Sequence, residues 1–338
     1  MKLILKSIYI FLLGVSCQKN LDVHEVSVQP FSISIIGSDF VVNDTKRVFK
    51  GVNCLQTYGL NNQDLLIDWQ VSISREFIGN LKDQPISGNP ILAQDGQWYH
   101  SLESIVKSNR SSGIITILTP FGWNDETGNY EFSGLNPSDQ PFYSFYKNKM
   151  KEIASFFKGQ SDVWLEVWNE PYHWDNKNNY SHELWYTDMS DMVSNLREVK
   201  GFDNIVLVPG NEQGQAEAAI IAYGKDLLKE HNKVAFDIHA YEKWLLNSSK
   251  STIYKRLIDI KSQGIPFIIG EISNKNVGGI LPVIPFLEAS KDAETSVLAW
   301  LWKYDSHDVS ALLNDQKKPN CNVENDFWGC NYKSFSDE

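Results

Sequence analysis

Eight short stretches, apolar along most of their length, recur down the chain: VFKGVNC (48–54), VSISREF (71–77), GIITILTP (113–120), VWLEVWNEP (163–171), NIVLVPG (204–210), KVAFDIHAY (233–241), PFIIGEIS (266–273) and SVLAWLWKY (296–304). Runs of this kind predict strands buried on both faces, as in a parallel sheet. Between them the spacing changes. In 142–158, Phe142, Phe145, Tyr146, Met150, Ile153, Phe156 and Phe157 return at three- and four-residue steps, and Leu184, Met189, Met192, Val193, Leu196 and Val199 do the same later. That is the period of an amphipathic helix. Eight strands alternating with helices close into a single (β/α)8 barrel. The preceding stretch, FSISIIGSDFVVNDTKRVF (31–49), has extended runs around an Asn43-Asp44 turn and predicts a β-hairpin that seals the N-terminal end of the barrel. The Pro-, Gly- and Asn-rich segment 79–99 is an active-site loop or a small insertion.

Functional groups of such a barrel gather at the C-terminal ends of its strands, so the residues closing each run carry the information. Here they are Asn53 and Cys54, Arg75, the segment 121–124, Asn169 and Glu170, the segment 211–213, His239 and Tyr241, Glu271, and Trp302. Two glutamates among amides, a histidine, a tyrosine, an arginine and indoles have the make-up of a sugar-cleaving site. Indole faces stack on pyranose C–H surfaces, while amides and carboxylates bind hydroxyls. Trp164, Trp168 and Trp300 precede their strand ends and read as packing residues. Trp98, Trp174, Trp244 and Trp328 fall in loop-like segments and are candidates for further sugar contacts.

Composition narrows the class. In 338 residues, 31 basic against 42 acidic side chains give a net charge of -11, which repels a phosphate backbone and argues against nucleic acid as a partner. The opening MKLILKSIYIFLLGVSC pairs Lys2 and Lys6 with an apolar run too short to span a bilayer, and reads as a secretion signal over 1–16. Cysteine directly after Ser16 suggests lipidation at Cys17, with 17–29 a polar tether and 30–338 the catalytic domain. The only membrane association expected is that anchor, at a bacterial cell surface or in the periplasm, and a monomer is expected. In an exported chain Cys321 and Cys330, which flank NVENDFWG, are expected to be bridged, leaving Cys54 as a small buried hydrophobe. No Cys/His cluster has zinc spacing, and neither metal nor cofactor is expected.

WNEP on the fourth strand, His-x-Tyr on the sixth, Gly-Glu on the seventh and Trp on the eighth resemble clan A glycoside hydrolases, and most closely family 5, the endoglucanase and β-mannanase family. The resemblance covers 40–304. It implies Glu170 as acid/base and Glu271 as nucleophile, Asn169 at the sugar 2-hydroxyl, His239 beside the acid/base and Trp302 as the platform at the cleavage point. Arg75 and Tyr241 would hold Glu271 ionised, and that charge would favour a protonated Glu170. One departure stands on strand three, where the family usually carries a histidine and this chain reads TILTPFGWND; Trp123 or Asn124 is expected to fill that corner. The implied activity is a retaining endo-β-1,4-glycosidase of glucanase or mannanase type, acting on a plant or algal polysaccharide by double displacement. A catalytically silent glycan-binding surface lipoprotein and an exo-acting β-glycosidase are the alternatives.

Overall fold

A computed structural model of the chain describes residues 32–93, 96–321 and 326–337. The leader read at 1–16, the tether at 17–29 and Cys17 lie outside these residues. Eight parallel strands form a closed barrel, in the order Lys50–Cys54, Ile73–Ile78, Ile115–Pro120, Val163–Glu166, Val206–Pro209, Val234–Ala240, Phe267–Ile272 and Val297–Trp302, the last pairing with the first. The main helices between them are Gln63–Asp68, Leu102–Ser111, Tyr143–Phe157, His182–Arg197, Ala218–Glu230, Lys250–Lys261 and Ile284–Asp292, with Gly329–Asp337 after the eighth strand. This is the (β/α)8 barrel that the hydrophobic pattern predicts.

Successive strand residues point to opposite faces, so each strand serves two cores. Outward residues such as Val52, Cys54, Leu118, Leu165, Val208, Phe236 and Ile269 pack under the helices. Inward residues at the lower end, Ile73, Ile117, Trp164, Leu207, Ala235, Ile268 and Leu298, form a separate apolar plug together with Ile33, Phe40, Val42 and Phe49 from the N-terminal segment. That segment has one strand more than the expected hairpin: Ile33–Ile36, Asp39–Val42 and Thr45–Arg47 form a three-stranded antiparallel sheet. Asn43 and Asp44, at φ 48° and 62°, make the expected two-residue turn. Phe40 stacks on Trp164 at 5.3 Å, closing the barrel floor.

At the other terminus Cys321 and Cys330 are bridged, and Cys54 is free and buried. The helix Gly329–Asp337 covers the seam between the eighth and first strands, where the Tyr332 hydroxyl donates to the Val297 carbonyl at 2.8 Å and accepts from the Gly51 amide at 3.2 Å. Within 79–99, Ile91–Leu92 pairs with Trp98–Tyr99, and Tyr99 packs edge-on against Tyr58 at 5.6 Å.

Candidate active site

Above the apolar plug the inward positions turn polar. Two residues beyond Ile73 comes Arg75; beyond Trp164, Glu166; beyond Ala235, Asp237 and then His239. All four are fully buried. The Arg75 guanidinium donates through Nε to Glu166 at 2.7 Å, through Nη1 to Asn53 at 2.9 Å and Glu271 at 2.6 Å, and through Nη2 to Asn169 at 2.8 Å. Its Nε also lies 3.5 Å from the Asp237 carboxylate. Burial alone would depress an arginine, but the fields of Glu166, Glu271 and Asp237 outweigh it and hold Arg75 above its ordinary value.

Glu271 reaches this inward face through a bulge. Ile238 pairs with Ile269 but His239 pairs with Glu271, so one extra residue on strand seven reverses the alternation. Gly270 makes room, because a Cβ there would sit 2.1 Å from both Asp237 carboxylate oxygens; its amide instead donates to Asp237 at 2.6 Å. Arg75 and the Tyr241 hydroxyl, at 2.7 Å, both reach Glu271. Burial nevertheless pushes Glu271 above the ordinary carboxylate value, against the pull of His239, Arg75 and Tyr241 and with help from Glu170. Burial was the contribution the sequence could not weigh.

Glu170 follows the fourth strand at φ 49°, a left-handed backbone conformation that a non-glycine residue keeps only where its surroundings enforce it. His239 Nδ1 lies 2.9 Å from one of its oxygens, and Ser133 donates to the other at 2.6 Å. Burial lowers the His239 imidazole, but Glu271, Asp237 and Glu170 together drive it well above its ordinary value. Oxygens of Glu170 and Glu271 lie within 4.8 Å of each other. Two carboxyls roughly 5 to 5.5 Å apart suit double displacement, since no water fits between nucleophile and acid. Among the described residues, Glu170, His239 and Glu271, and also Glu166, Asp237 and His239, have the composition of a cation site. Arg75 already lies against the Glu166, Asp237 and Glu271 carboxylates of these groups.

Two tryptophans lie elsewhere than the sequence suggests. Trp123 belongs to a two-stranded ribbon, Gly122–Asp125 with Gly128–Glu131, that turns it off the rim onto Phe142, stacked at 5.7 Å, with its indole donating to Asp125. Asn124 is in the same ribbon, and the residue beside Arg75 is Phe121, its ring 5.2 Å from the guanidinium carbon. Trp302, 2% exposed, packs edge-on against Trp69 at 5.1 Å in the outer layer. A bulge between Ala299 and Trp302 reverses the parity, so Trp300 is the indole facing inward. It is half-buried and stacks on Phe121 at 6.0 Å. Of the four loop tryptophans, Trp98 and Trp174 are exposed, whereas Trp244 and Trp328 are buried. Glu166 and Asp237 join the site as inward positions two residues beyond Trp164 and Ala235, a signal the strand alternation carries, whereas Ser133 lies in a loop without periodic signal.

An eight-stranded barrel with two juxtaposed glutamates at the carboxyl ends of strands four and seven defines a glycoside hydrolase. The sequence profile of Cellulase (glycosyl hydrolase family 5) matches residues 61–306, and the chain belongs to this family. A mannan endo-1,4-beta-mannosidase of Salipaludibacillus agaradhaerens is 24% identical over 224 residues, 64% of this chain; the match spans 66% of that relative's length. Among solved structures, β-mannanase from Thermomonospora fusca superposes with TM-score 0.67 at 17% identity, covering 90% of this chain and 96% of that one. A β-glucanase from Saccharophagus degradans gives 0.66 at 16% identity, with 91% and 93% covered. These structural likenesses show the same fold.

Proposed function

We propose that the protein cleaves the main chain of a β-1,4-linked mannan or glucan with retention of configuration, Glu271 acting as nucleophile and Glu170 as acid/base. The observation that carries this reading is the approach of the two carboxylates to within 4.8 Å, amid Arg75, Asn169, His239 and Tyr241. In the first step a Glu271 oxygen attacks the anomeric carbon while Glu170 gives its proton to the departing glycosidic oxygen. Glu271 is then an ester, and Glu170 takes a proton from the water that displaces it. Asn169 spends its carbonyl on Arg75, which leaves its amide hydrogens for a sugar hydroxyl. Trp300, rather than Trp302, supplies the indole face at the cleavage point.

The test is product analysis of residues 18–338 on mannan, mixed-linkage glucan, cellulose, xylan and xyloglucan, with the product anomer read by NMR. Oligosaccharides of retained configuration from mannan or a glucan are expected, and Glu271→Gln should lower kcat by roughly 10⁴-fold or more. Binding without cleavage by both proteins would defeat the reading. The same reading has the protein exported and lipid-anchored at Cys17, on the strength of the opening MKLILKSIYIFLLGVSC. Full-length protein should partition into detergent and Cys17→Ser into water; equal partitioning would remove the anchor.

A further inference from the structure

Glu170 is gripped from the loop side as well as from the barrel. The loop after strand three ties its backbone, the Gly134 amide donating to the Glu170 carbonyl at 2.8 Å and the Tyr172 amide to the Leu135 carbonyl at 2.9 Å. The loop after strand five ties the next peptides, with the Gln213 amide 3.1 Å from the Pro171 and Tyr172 carbonyls. The side chains of these loops then meet: Gln213 Nε2 donates to Ser133 Oγ at 2.8 Å, and Ser133 Oγ donates to Glu170 Oε2 at 2.6 Å. A serine hydroxyl has one proton and two lone pairs. With the Gln213 amide directed at a lone pair, the proton is aimed at Glu170.

We propose that Ser133, oriented by Gln213, is a positioning residue for Glu170: it fixes the plane of the carboxylate opposite His239 and steadies it in the state that must take a proton from water in the second step. This rests on Glu170 being the acid/base. The ionisable groups facing Glu170 are His239 from strand six, Tyr241 just after it and Glu271 from strand seven, with Asp237 and Arg75 one contact deeper. On the loop side Glu212 is paired with Lys243, which leaves Ser133 and Gln213 as neutral partners. Removing the hydroxyl therefore deletes a donor to the carboxylate and adds no charge.

The experiment is Ser133→Ala, with Gln213→Met as a second variant that leaves the hydroxyl present but unoriented. Each is assayed on the polymer the wild type cleaves and on a dinitrophenyl β-glycoside of the same sugar, whose leaving group departs without a proton. For Ser133→Ala the alkaline limb of the polymer kcat/KM profile is expected to move up by about one pH unit, since a hydrogen bond to a charged group is lost. On the aryl glycoside kcat and KM are expected to fall together by about tenfold while kcat/KM stays within about twofold, the split produced when only deglycosylation is slowed. Gln213→Met should do the same to a smaller extent. An unmoved profile with equal losses in kcat and kcat/KM, in both variants, would make Ser133 a packing residue and overturn the inference. A wild type inert on both substrates would overturn the glutamate assignment on which it rests.

Discussion

Arg75 sits among three carboxylates, and the protein cannot keep all of them ionised at no cost. Glu166 carries the strain: burial, together with Asp237, pushes it up to about 7 although Arg75 and His239 pull it down. The folded chain thus holds this proton more tightly than the unfolded chain, whose glutamate titrates at its ordinary 4.5. The resulting stabilisation is full below 4.5 and is lost as pH rises through about 7; the shift corresponds to about 3 kcal/mol. His239, also raised, runs the same way from its ordinary 6.5, whereas Asp237, lowered by His239 and Arg75 against its burial, matters only at the acid end. Wild-type Tm should accordingly fall between pH 5 and 8. Glu166→Gln, which cannot titrate, should flatten that slope while keeping acceptor and donor atoms near Arg75. Equal slopes in the two proteins would show that Glu166 does not titrate in this window.

At the scale of the strand, one extra residue decides which side chains face the barrel interior. Strand count and strand order were legible because apolar runs do not depend on parity; Glu271 was legible only as a strand-end carboxylate, its inward face being set by the bulge on strand seven. Which indole faces inward was not legible, because SVLAWLWKY offers indoles at 300 and 302 and only the bulge after Ala299 separates their faces. Strand three failed for a related reason: the ribbon Gly122–Asp125 carries Trp123 over the helix layer and leaves Phe121 beside Arg75. The two tryptophans therefore separate in their mutational effects. Trp302→Ala, emptying a buried site against Trp69, should cost about 3 to 5 kcal/mol in denaturant unfolding with little change in KM. If Trp300 is the platform proposed above, Trp300→Ala should raise KM on the polymer several-fold at nearly unchanged stability, since the ring is only half-buried. The opposite pattern would return the platform to Trp302.

The whole molecule is a tube with a dry floor and a charged mouth. The N-terminal sheet closes the floor through Phe40, which rests on Trp164 at 5.3 Å and on Phe49 at 5.6 Å. Above it the inward layer of Ile73, Trp164, Ala235 and Ile268 precedes Arg75, Glu166, Asp237 and Glu271 on the same strands. This stacking keeps water from reaching the buried charges from below, which sustains the low-dielectric setting in which Arg75 and His239 act on the glutamates. Interior packing is rigid enough that a void at the floor need not travel up through the intervening layer of well-packed side chains. Phe40→Ala should therefore lower unfolding free energy by about 3 to 5 kcal/mol, while kcat/KM measured well below its Tm stays within about twofold of wild type. A large loss of kcat/KM at unchanged Tm would mean that the floor and the mouth are coupled, and that the N-terminal sheet helps set the geometry of Arg75 rather than only sealing the barrel beneath it.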